Sequence, residues 1–577
     1  MDKTNLKKIA AALLALLLLI PAAACGRGGR LSYEERKQRD EELYGAVDLG
    51  GINDANALFD TPSPNFTLPY SRTGMSQVDL DPFTCTSTLN DALCHLVYDR
   101  LVYIDSEFHI VEAIAQSAEM TTNKMITVIL RGIVFSDGSL LTGEDVVYSF
   151  EQAKTSLKYK AQLDNFTSCA TGETATNIVV FRLEEPDIMA VMNLDFPIIK
   201  KFSDRNDPER PSTDPQNAHM PVGSGRYYYY SDIEHGFFLM RNKRWYGKNP
   251  TPIDGKKPSP IERISLVGMP SMESIIHSIE IGTVSYYFAD LREGFLFKDS
   301  SDRPSNRFGG NYVTVDLNNL VFLGLNTFDT RLQSREVRAA ISFALNRDDI
   351  CSNVYGGRAY GATGPFTTSW PEAAEVQYGS TLDDQSRFLT SLQTSGYMNR
   401  SEAGIRYDNQ GRFLNFELLV NATNAQHIAA ANAVAMQLGK AGIGVNVVHL
   451  GRDEMAGRIS RGEYQIYFGE YSLTNNMDVS RLFTPGSGLY SGPSPETTVI
   501  AFGGYRAGDV SLEDFVDAFD SDIPFIPLCY RLGMVCYTRG ISANMNVSVS
   551  NLFSDMETWE ILEPVTDSDA PADETAA

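Results

Sequence analysis

The chain contains few of the residues on which metal centres and hydrolytic active sites depend. Its 577 residues include seven cysteines and seven scattered histidines, and no C-x-x-C pair occurs. G-x-S-x-G and H-E-x-x-H motifs are also missing. These absences argue against a zinc site and against a serine or zinc hydrolase. We therefore expect a protein that is not an enzyme, has no catalytic residues and carries no metal or other cofactor.

Basic residues are in deficit as well. The chain has 49 Lys and Arg against 73 Asp and Glu, which gives a formal net charge of −24 at pH 7. Nucleic-acid binding depends on Lys and Arg that neutralise phosphates, so this composition argues against a nucleic-acid partner. Beyond the first 24 residues, no apolar run approaches the roughly 20 residues that a membrane-spanning helix needs. The length and the 43% hydrophobic content instead suit a globular protein of two to four domains.

The first 25 residues have the features of an export signal followed by a lipid-attachment site. Lys3, Lys7 and Lys8 precede an apolar run over 9–20, and small residues lead to Cys25. This order is typical of a signal peptide, predicted over 1–24. Residues 23–26 resemble the lipobox of bacterial lipoproteins, although Ala22 stands where Leu is usual. The resemblance implies that Cys25 is lipidated and holds the chain at the outer face of the cell membrane; an ordinary secretory signal or a short uncleaved anchor is the alternative.

Both ends of the exported chain are poor in apolar residues. Residues 25–65 hold a Gly/Arg patch, a run of mixed charge and two prolines, which predicts a lipidated tether. Residues 561–577 are rich in Asp, Ala, Thr and Pro and are predicted to be a disordered acidic tail. Of the six cysteines between them, Cys85 and Cys94 are the nearest candidates for a disulfide, and six buried thiols are the alternative.

Alternating strand and helix patterns predict an α/β fold. Residues 416–420 form a strand candidate, Asn424 is a helix N-cap, Gly442 ends that helix, and a β-branched run resumes over 443–448. This order predicts a βαβ unit with parallel strands. Similar patterns predict strands at 321–325, 261–267 and 284–288, helices after Ser334 and Ser271, and a helix opened by a Thr142–Asp145 capping box that carries Val146, Phe150, Ala153 and Leu157.

Several motifs resemble the extracellular solute-binding proteins of the peptide/nickel ABC transporter type (solute-binding protein family 5). The most specific one covers 130–150 and reads LR-G-x-x-F-x-DG followed by T-x-EDV-x-x-S. The resemblance extends over about 66–539. Its other blocks are 96–102, 110–115, 221–227, 241–242, 325–327, 337–347 and 461–466.

The resemblance implies a two-lobed, periplasmic-binding-protein-like (Venus flytrap) fold with an extra inserted subdomain. Lobe I would comprise 66–315 and 485–560, with the inserted subdomain at about 90–217. Lobe II would comprise 316–484. A ligand bound between such lobes prefers the closed form because it contacts both of them.

The resemblance also implies where the ligand binds. In peptide-binding members, an Asp beyond the Gly-Glu/Asp block pairs with the α-ammonium of the peptide, and Thr474 stands at the matching position. A hydroxyl cannot replace that charge, which favours a modified peptide, a sugar or a metal chelate unless Glu470 or Asp478 supplies the acid. The predicted ligand-binding residues are Glu470, Tyr471, Thr474, Asn475, Asn476, Asp478, Tyr70, Ser71 and Trp370.

The resemblance therefore implies a monomeric substrate-binding lipoprotein of an ABC importer. It would bind an oligopeptide or a related small polar solute and deliver it to ABC permease subunits in the membrane. A surface sensor for a signalling peptide, a surface hydrolase and a structural surface lipoprotein are the alternatives.

Overall fold

The structure is a computed structural model, and it describes most of the chain after residue 58. The described residues are 59–62, 65–70, 80–172, 175–201, 221–232, 236–246, 261–269, 271–290, 310–376, 378–379, 384–543 and 545–564. The predicted signal peptide, Cys25, most of the predicted tether and Ser71 therefore lie outside the described residues, as does most of the predicted acidic tail.

The described part of the chain contains strands and helices from end to end. The strands are β1 (Phe59–Pro62), β2 (Asn65–Tyr70), β3 (Val102–Ile104), β4 (Ile110–Glu112), β5 (Ala115–Thr122), β6 (Met125–Leu130), β7 (Phe166–Thr171), β8 (Ile178–Leu183), β9 (Tyr227–Asp232), β10 (Gly236–Arg241), β11 (Arg263–Gly268), β12 (Tyr286–Ala289), β13 (Asn311–Leu325), β14 (Ala359–Gly361), β15 (Asn399–Arg400), β16 (Arg406–Tyr407), β17 (Asn415–Asn421), β18 (Gly444–Leu450), β19 (Ile466–Ser472), β20 (Phe525–Tyr537), β21 (Ile541–Ser542) and β22 (Glu560–Pro564). The α-helices are α1 (Thr88–Val97), α2 (Gly143–Thr155), α3 (Met272–Glu280), α4 (Arg335–Phe343), α5 (Arg347–Asn353), α6 (Pro371–Ala374), α7 (Gln385–Ser395), α8 (Ala425–Ala441), α9 (Arg452–Ser460), α10 (Glu496–Ala507) and α11 (Leu512–Asp522). None of these helices is long and apolar enough to cross a membrane.

The first packed region, called lobe I here, is built on two four-stranded sheets. One has the order β2-β11-β10-β9, with β2 parallel to β11, and the other has the order β5-β6-β8-β7. The Phe150 ring of α2 packs against the aromatic rings of Phe166 and Phe181 on the second sheet. The same hydrophobic core extends to Trp559 near the end of the chain, so both ends of the described chain contribute to lobe I.

The second packed region, called lobe II, surrounds the largest sheet. Its strand order is β12-β20-β13-β19-β17-β18, with β14 paired to β20. One core includes Leu323 of β13 and Val434 of α8, and another includes Phe322 of β13 and Phe515 of α11. Alternate side chains of a strand point to opposite faces, so helices cover this sheet on both sides. The helices α10 and α11 belong to this packing, whereas the sequence prediction assigned 485–560 to lobe I.

Two long strands, β13 and β20, run through both lobes. Val315 pairs with Gly533 on the lobe I side, and Leu323 pairs with Ile526 on the lobe II side. Between these pairs the register shifts from Asp316 to Asn319. Because a β-bulge bends the strand that contains it, this shift marks the junction of the lobes.

Most local predictions are confirmed. Asn424 accepts hydrogen bonds from two backbone N–H groups at the start of α8, Gly442 ends that helix at φ +90°, and β17 and β18 are parallel. Asp145 accepts the backbone N–H of Thr142 at 2.8 Å, as the capping box predicts. The inward position predicted for Leu157 is wrong, because α2 ends two residues earlier and the Leu157 side chain is exposed.

Candidate ligand-binding cleft

A cavity of about 180 Å³ lies where the two lobes meet. On the lobe I side it is lined by the turn between β3 and β4 and by residues 547–550. Thr314 and Asp316 of β13 and Leu532 of β20 line it at the junction, and Ser369 and Asn475 line it on the lobe II side. The cavity is smaller than the roughly 300–1,000 Å³ of most small-molecule sites. It therefore suits a very small solute or one functional group of a larger one.

The Asp316 carboxylate is the most heavily hydrogen-bonded group of this cavity. Its Oδ2 accepts the hydroxyls of Tyr360 at 2.5 Å, Thr367 at 2.8 Å and Ser369 at 2.7 Å, and its Oδ1 accepts the backbone N–H of Asn318 at 2.7 Å. Burial and then the Asp316 charge raise the pKa of Tyr360, which keeps this phenol protonated as a donor. The donors hold the carboxylate in place, and all of them are neutral.

The lobe I wall is a tight turn that contains an unusual backbone conformation. Asp105 Oδ1 accepts the backbone N–H groups of Glu107 at 2.9 Å and His109 at 2.8 Å. Phe108 has φ +63°, which is an outlier for a bulky side chain. Its ring packs against the hydrophobic core of lobe II. This turn therefore places a lobe I side chain directly against lobe II. Strained backbone conformations of this kind often occur at functional sites.

A second set of contacts joins the lobes beside the cavity. Asp187 of lobe I pairs with Arg506 of α10, and its Oδ2 also accepts Asn476 Nδ2 at 2.8 Å. The side chain of Asn475 reaches the carbonyl oxygen of Met192 at 3.4 Å. Burial raises the pKa of Asp187, and the Arg506 charge opposes that change. Because these groups come from both lobes, they hold the lobes together in the conformation described.

The structure places the predicted site residues in several different environments. Asn475 lines the cavity, and Asn476 forms the contact with Asp187. Thr474 donates its hydroxyl to Asn476 Oδ1 at 2.6 Å, and Asp478 Oδ1 accepts the backbone N–H of Ser480 at 2.8 Å. Neither Thr474 nor Asp478 lies among the described residues that line the cavity.

The other predicted residues lie in the packed interior. Glu470 pairs with His427 and lies 3.4 Å from Arg531 Nη1, so its charge is compensated within lobe II. Trp370 is buried against Phe366, Tyr471 packs on the same core, and Tyr70 belongs to the core of lobe I. Their roles in ligand binding stay predictions.

A family model named "Bacterial extracellular solute-binding proteins, family 5 Middle" matches residues 109–489. The chain belongs to this family. The match confirms the resemblance that the 130–150 motif indicates. Members of this family are binding proteins and not enzymes, so the prediction of a non-enzymatic protein is also confirmed.

Among curated relatives of this family 5 protein is the oligopeptide-binding protein AppA of Bacillus subtilis. It is 22% identical over 364 residues, which cover 61% of this chain and 63% of AppA. The chain therefore matches less than two thirds of the length of this relative.

Solved structures confirm the two-lobed fold. NikA from Brucella suis, in complex with Fe(III)-EDTA, gives a TM-score of 0.65 at 17% identity and covers 86% of this chain and 100% of NikA. AppA from Bacillus subtilis, in complex with a nonapeptide, gives a TM-score of 0.55 at 17% identity and covers 87% of this chain and 100% of AppA. At these identities the likeness shows the fold alone.

The cavity of this family 5 protein contains residues that the sequence did not single out. Asp105, Phe108, Asp316 and Ser369 line it together with 547–550. One of them left a signal in the sequence: Asp316 is an acid that interrupts the largely apolar run 312–325. The others come together only through tertiary folding.

One further group of side chains has the composition of a metal site. Cys85, Asp91 and Cys94 offer ligand atoms within 4.8 Å of one another. The Lys158 ammonium pairs with Asp91 and lies 4.0 Å from the Cys85 sulfur. Burial raises the pKa of the Cys94 thiol well above its ordinary value, which disfavours the thiolate that metals require. The arrangement therefore favours the Lys158 ammonium over a metal ion. No disulfide joins any of the six described cysteines, and all six are buried.

Proposed function

We propose that this family 5 protein is the substrate-binding component of an ABC importer. It binds a peptide-like or other small polar solute between its lobes and delivers it to permease subunits in the membrane. The observation that supports this function most directly is the cavity at the junction, which has lining residues from both lobes. The protein works in this proposal as a monomer.

The proposed mechanism follows from the position of the cavity on the bent pair of strands. A solute that contacts Asp105 or Ser106 on one side and Ser369 or Asn475 on the other interacts with both lobes only when they are close. Its differential affinity for the closed form shifts the population towards closure. The bulge near Asn318, which has φ +47°, is the point at which β13 bends during this motion.

The name of the relative and the contents of the solved complexes suggest two ligand classes. AppA is an oligopeptide-binding protein, and NikA was solved with a metal chelate. Native mass spectrometry of gently purified protein tests the binding function, because a co-purified solute would appear as a defined mass increment. Uptake of that solute should fall when the gene is deleted. A solute that binds without any effect of the deletion on uptake would contradict the importer function and favour a sensor.

We propose further that Cys25 is lipidated and anchors the protein at the outer face of the cell membrane. The support comes from the sequence over 1–26, which resembles a signal peptide with a lipobox. The variant Cys25→Ala should move the protein from the membrane fraction to the culture medium or the periplasm. Equal membrane association of the variant and the wild type would contradict the anchor.

A further inference from the structure

The charged side chains among the described residues of the cavity lining are both acidic. Among its described lining residues, Asp105 and Asp316 carry carboxylates, and none is Lys, Arg or His. The remaining polar groups are hydroxyls and the amide of Asn475. The cavity therefore has a negative potential without a cation of its own along its lining.

Asp316 differs from the paired acids elsewhere in the molecule. Its donors are three hydroxyls and one backbone N–H, and no ion pair involves it among the described residues. The Asp316 side chain is only partly buried, and no described basic group offsets its charge. A cation that enters the cavity would gain charge-assisted hydrogen bonds to this carboxylate.

Asp105 belongs to lobe I, whereas Asp316 lies at the junction of the lobes. Asp105 is fixed to lobe I by the backbone N–H groups of its own turn. Asp316 lies on β13, and the hydroxyls of Tyr360 and Thr367 tie it to lobe II. His109 Nδ1 lies 3.3 Å from Asp105 Oδ2, but its ring is 62% exposed and outside the cavity lining. A cation that contacts both Asp105 and Asp316 would therefore favour the closed form.

We propose that this cavity binds the ammonium or guanidinium group of a small organic cation, with Asp316 as the principal acceptor and Asp105 as the second. The inference rests on the proposed function and names its ligand class. It also explains how the cleft can bind an ammonium group although Thr474 carries no charge. In this proposal Asp316, at the junction of the lobes, supplies the carboxylate. The volume of about 180 Å³ suits the amino terminus of a short peptide or a simple amine.

The test uses the purified mature protein and an equimolar mixture of putrescine, trialanine, N-acetyl-trialanine and maltotriose. Native mass spectrometry measures which compound the protein retains. We expect retention of putrescine or trialanine and none of N-acetyl-trialanine or maltotriose. Retention of trialanine would identify a peptide amino terminus as the source of the charge, and retention of putrescine alone would identify a free amine.

The variants Asp316→Asn and Asp105→Asn should weaken retention, by at least about tenfold for Asp316→Asn, which corresponds to about 1.4 kcal/mol. Asp105→Asn keeps an oxygen for the two backbone N–H groups, so it tests the charge even if Asp316→Asn folds poorly. Glu107→Gln is the matched control, since it makes the same charge change in the same turn but does not line the cavity, and it should have no effect.

Three results would overturn the inference. Equal retention of N-acetyl-trialanine or maltotriose by the wild type and both Asp variants would refute it and leave the importer function intact. Retention of a cation that neither Asp variant weakens would refute it in the same way. Failure of the wild type to retain any of the four compounds would refute this inference, whereas the proposed function is tested separately by the co-purified solute and its uptake.

Discussion

Glu470 and Asp316 are carboxylates on neighbouring strands of one sheet, and their surroundings differ in charge. Glu470, on β19, has a side chain that is 12% exposed and contacts both His427 and the fully buried Arg531. Asp316, on β13, is held by hydroxyl groups at the cavity between the lobes. Both acids are well supplied with hydrogen bonds, but among the described residues only Glu470 has a basic partner.

This difference separates a structural acid from a binding acid. A buried acid with an internal cation stabilises the lobe only while both partners are present. An acid whose described partners are all neutral can pair with a cation from outside the protein. The prediction that Glu470 supplies charge to a ligand is therefore less well supported than the same role for Asp316.

The largest expected effect comes from removal of the internal cation. Arg531 contacts Glu470, donates to Gln426 Oε1 at 3.0 Å and lies over the Tyr355 ring at 4.7 Å. The variant Arg531→Met leaves Glu470 buried without this partner, so the free energy of unfolding should fall by about 3–5 kcal/mol. Urea unfolding monitored by circular dichroism measures the change.

Two controls sharpen this result. The double variant Arg531→Met/Glu470→Leu should recover part of the lost stability, because the buried carboxylate that lost Arg531 is removed as well. Arg461→Met removes an ion pair with Glu463 at the surface, where both side chains are more than half exposed, and should change stability little. If Arg531→Met lowered the free energy of unfolding as little as Arg461→Met, the stability of the lobe would not depend on the contact between Glu470 and Arg531.

A third carboxylate, Asp99 of lobe I, extends the comparison to pH dependence. Burial raises the pKa of Asp99 to about 6, against the opposing effects of Arg226, Tyr103 and Trp245. Between about pH 4 and pH 6, the folded state holds a proton that the unfolded state has lost, so stability falls as the pH rises through this window. Asp99→Asn should remove this contribution, which is about 3 kcal/mol at most.

The measurement is the difference in unfolding free energy between Asp99→Asn and the wild type at pH 4 and at pH 7. The variant should gain relative stability at the higher pH. Asp137→Asn provides a control of opposite sign. Burial alone would raise the pKa of Asp137, but hydrogen bonds from Lys200 and Ser139 outweigh it and lower that pKa. The stability that this lowered pKa provides is present above the unfolded pKa of about 4 and is lost as the pH falls below it, so Asp137→Asn is compared with the wild type at about pH 3 and about pH 7. It should lose relative stability at the higher pH, and a gain like that of Asp99→Asn would contradict the assignment.

The sequence predicted those features of the fold that depend on nearby residues. The cap at Asn424, the stop at Gly442 and the capping box at Thr142 are each formed within a few residues of the chain, so local chemistry determines them. The prediction for Leu157 failed because the apolar period continued past the end of α2. The position of a helix end depends on local backbone geometry, and the spacing of apolar residues does not reveal it.

The candidate site was less predictable because its residues are distant in sequence. Asp316 meets residues 547–550 and Asp105 only after β13 has paired with β20, more than 200 positions away along the chain. Asn475 was predicted from the family resemblance, and it does line the cavity. The family resemblance indicated the residues that follow β19 in lobe II. It gave no indication of Asp316 at the junction of the lobes.

The smallest expected change in stability belongs to the acid that is proposed to bind the ligand. In Asp316→Asn, two of the three hydroxyls of Tyr360, Thr367 and Ser369 can rotate to accept the two N–H groups of the new amide. Weaker hydrogen bonds are then offset by removal of an uncompensated charge, so the unfolding free energy should stay within about 1 kcal/mol of the wild type. The same urea assay, without ligand, compares this variant with Arg531→Met. A loss of about 3 kcal/mol or more would make Asp316 a structural acid like Glu470, whereas a small loss combined with weakened binding would separate the two roles.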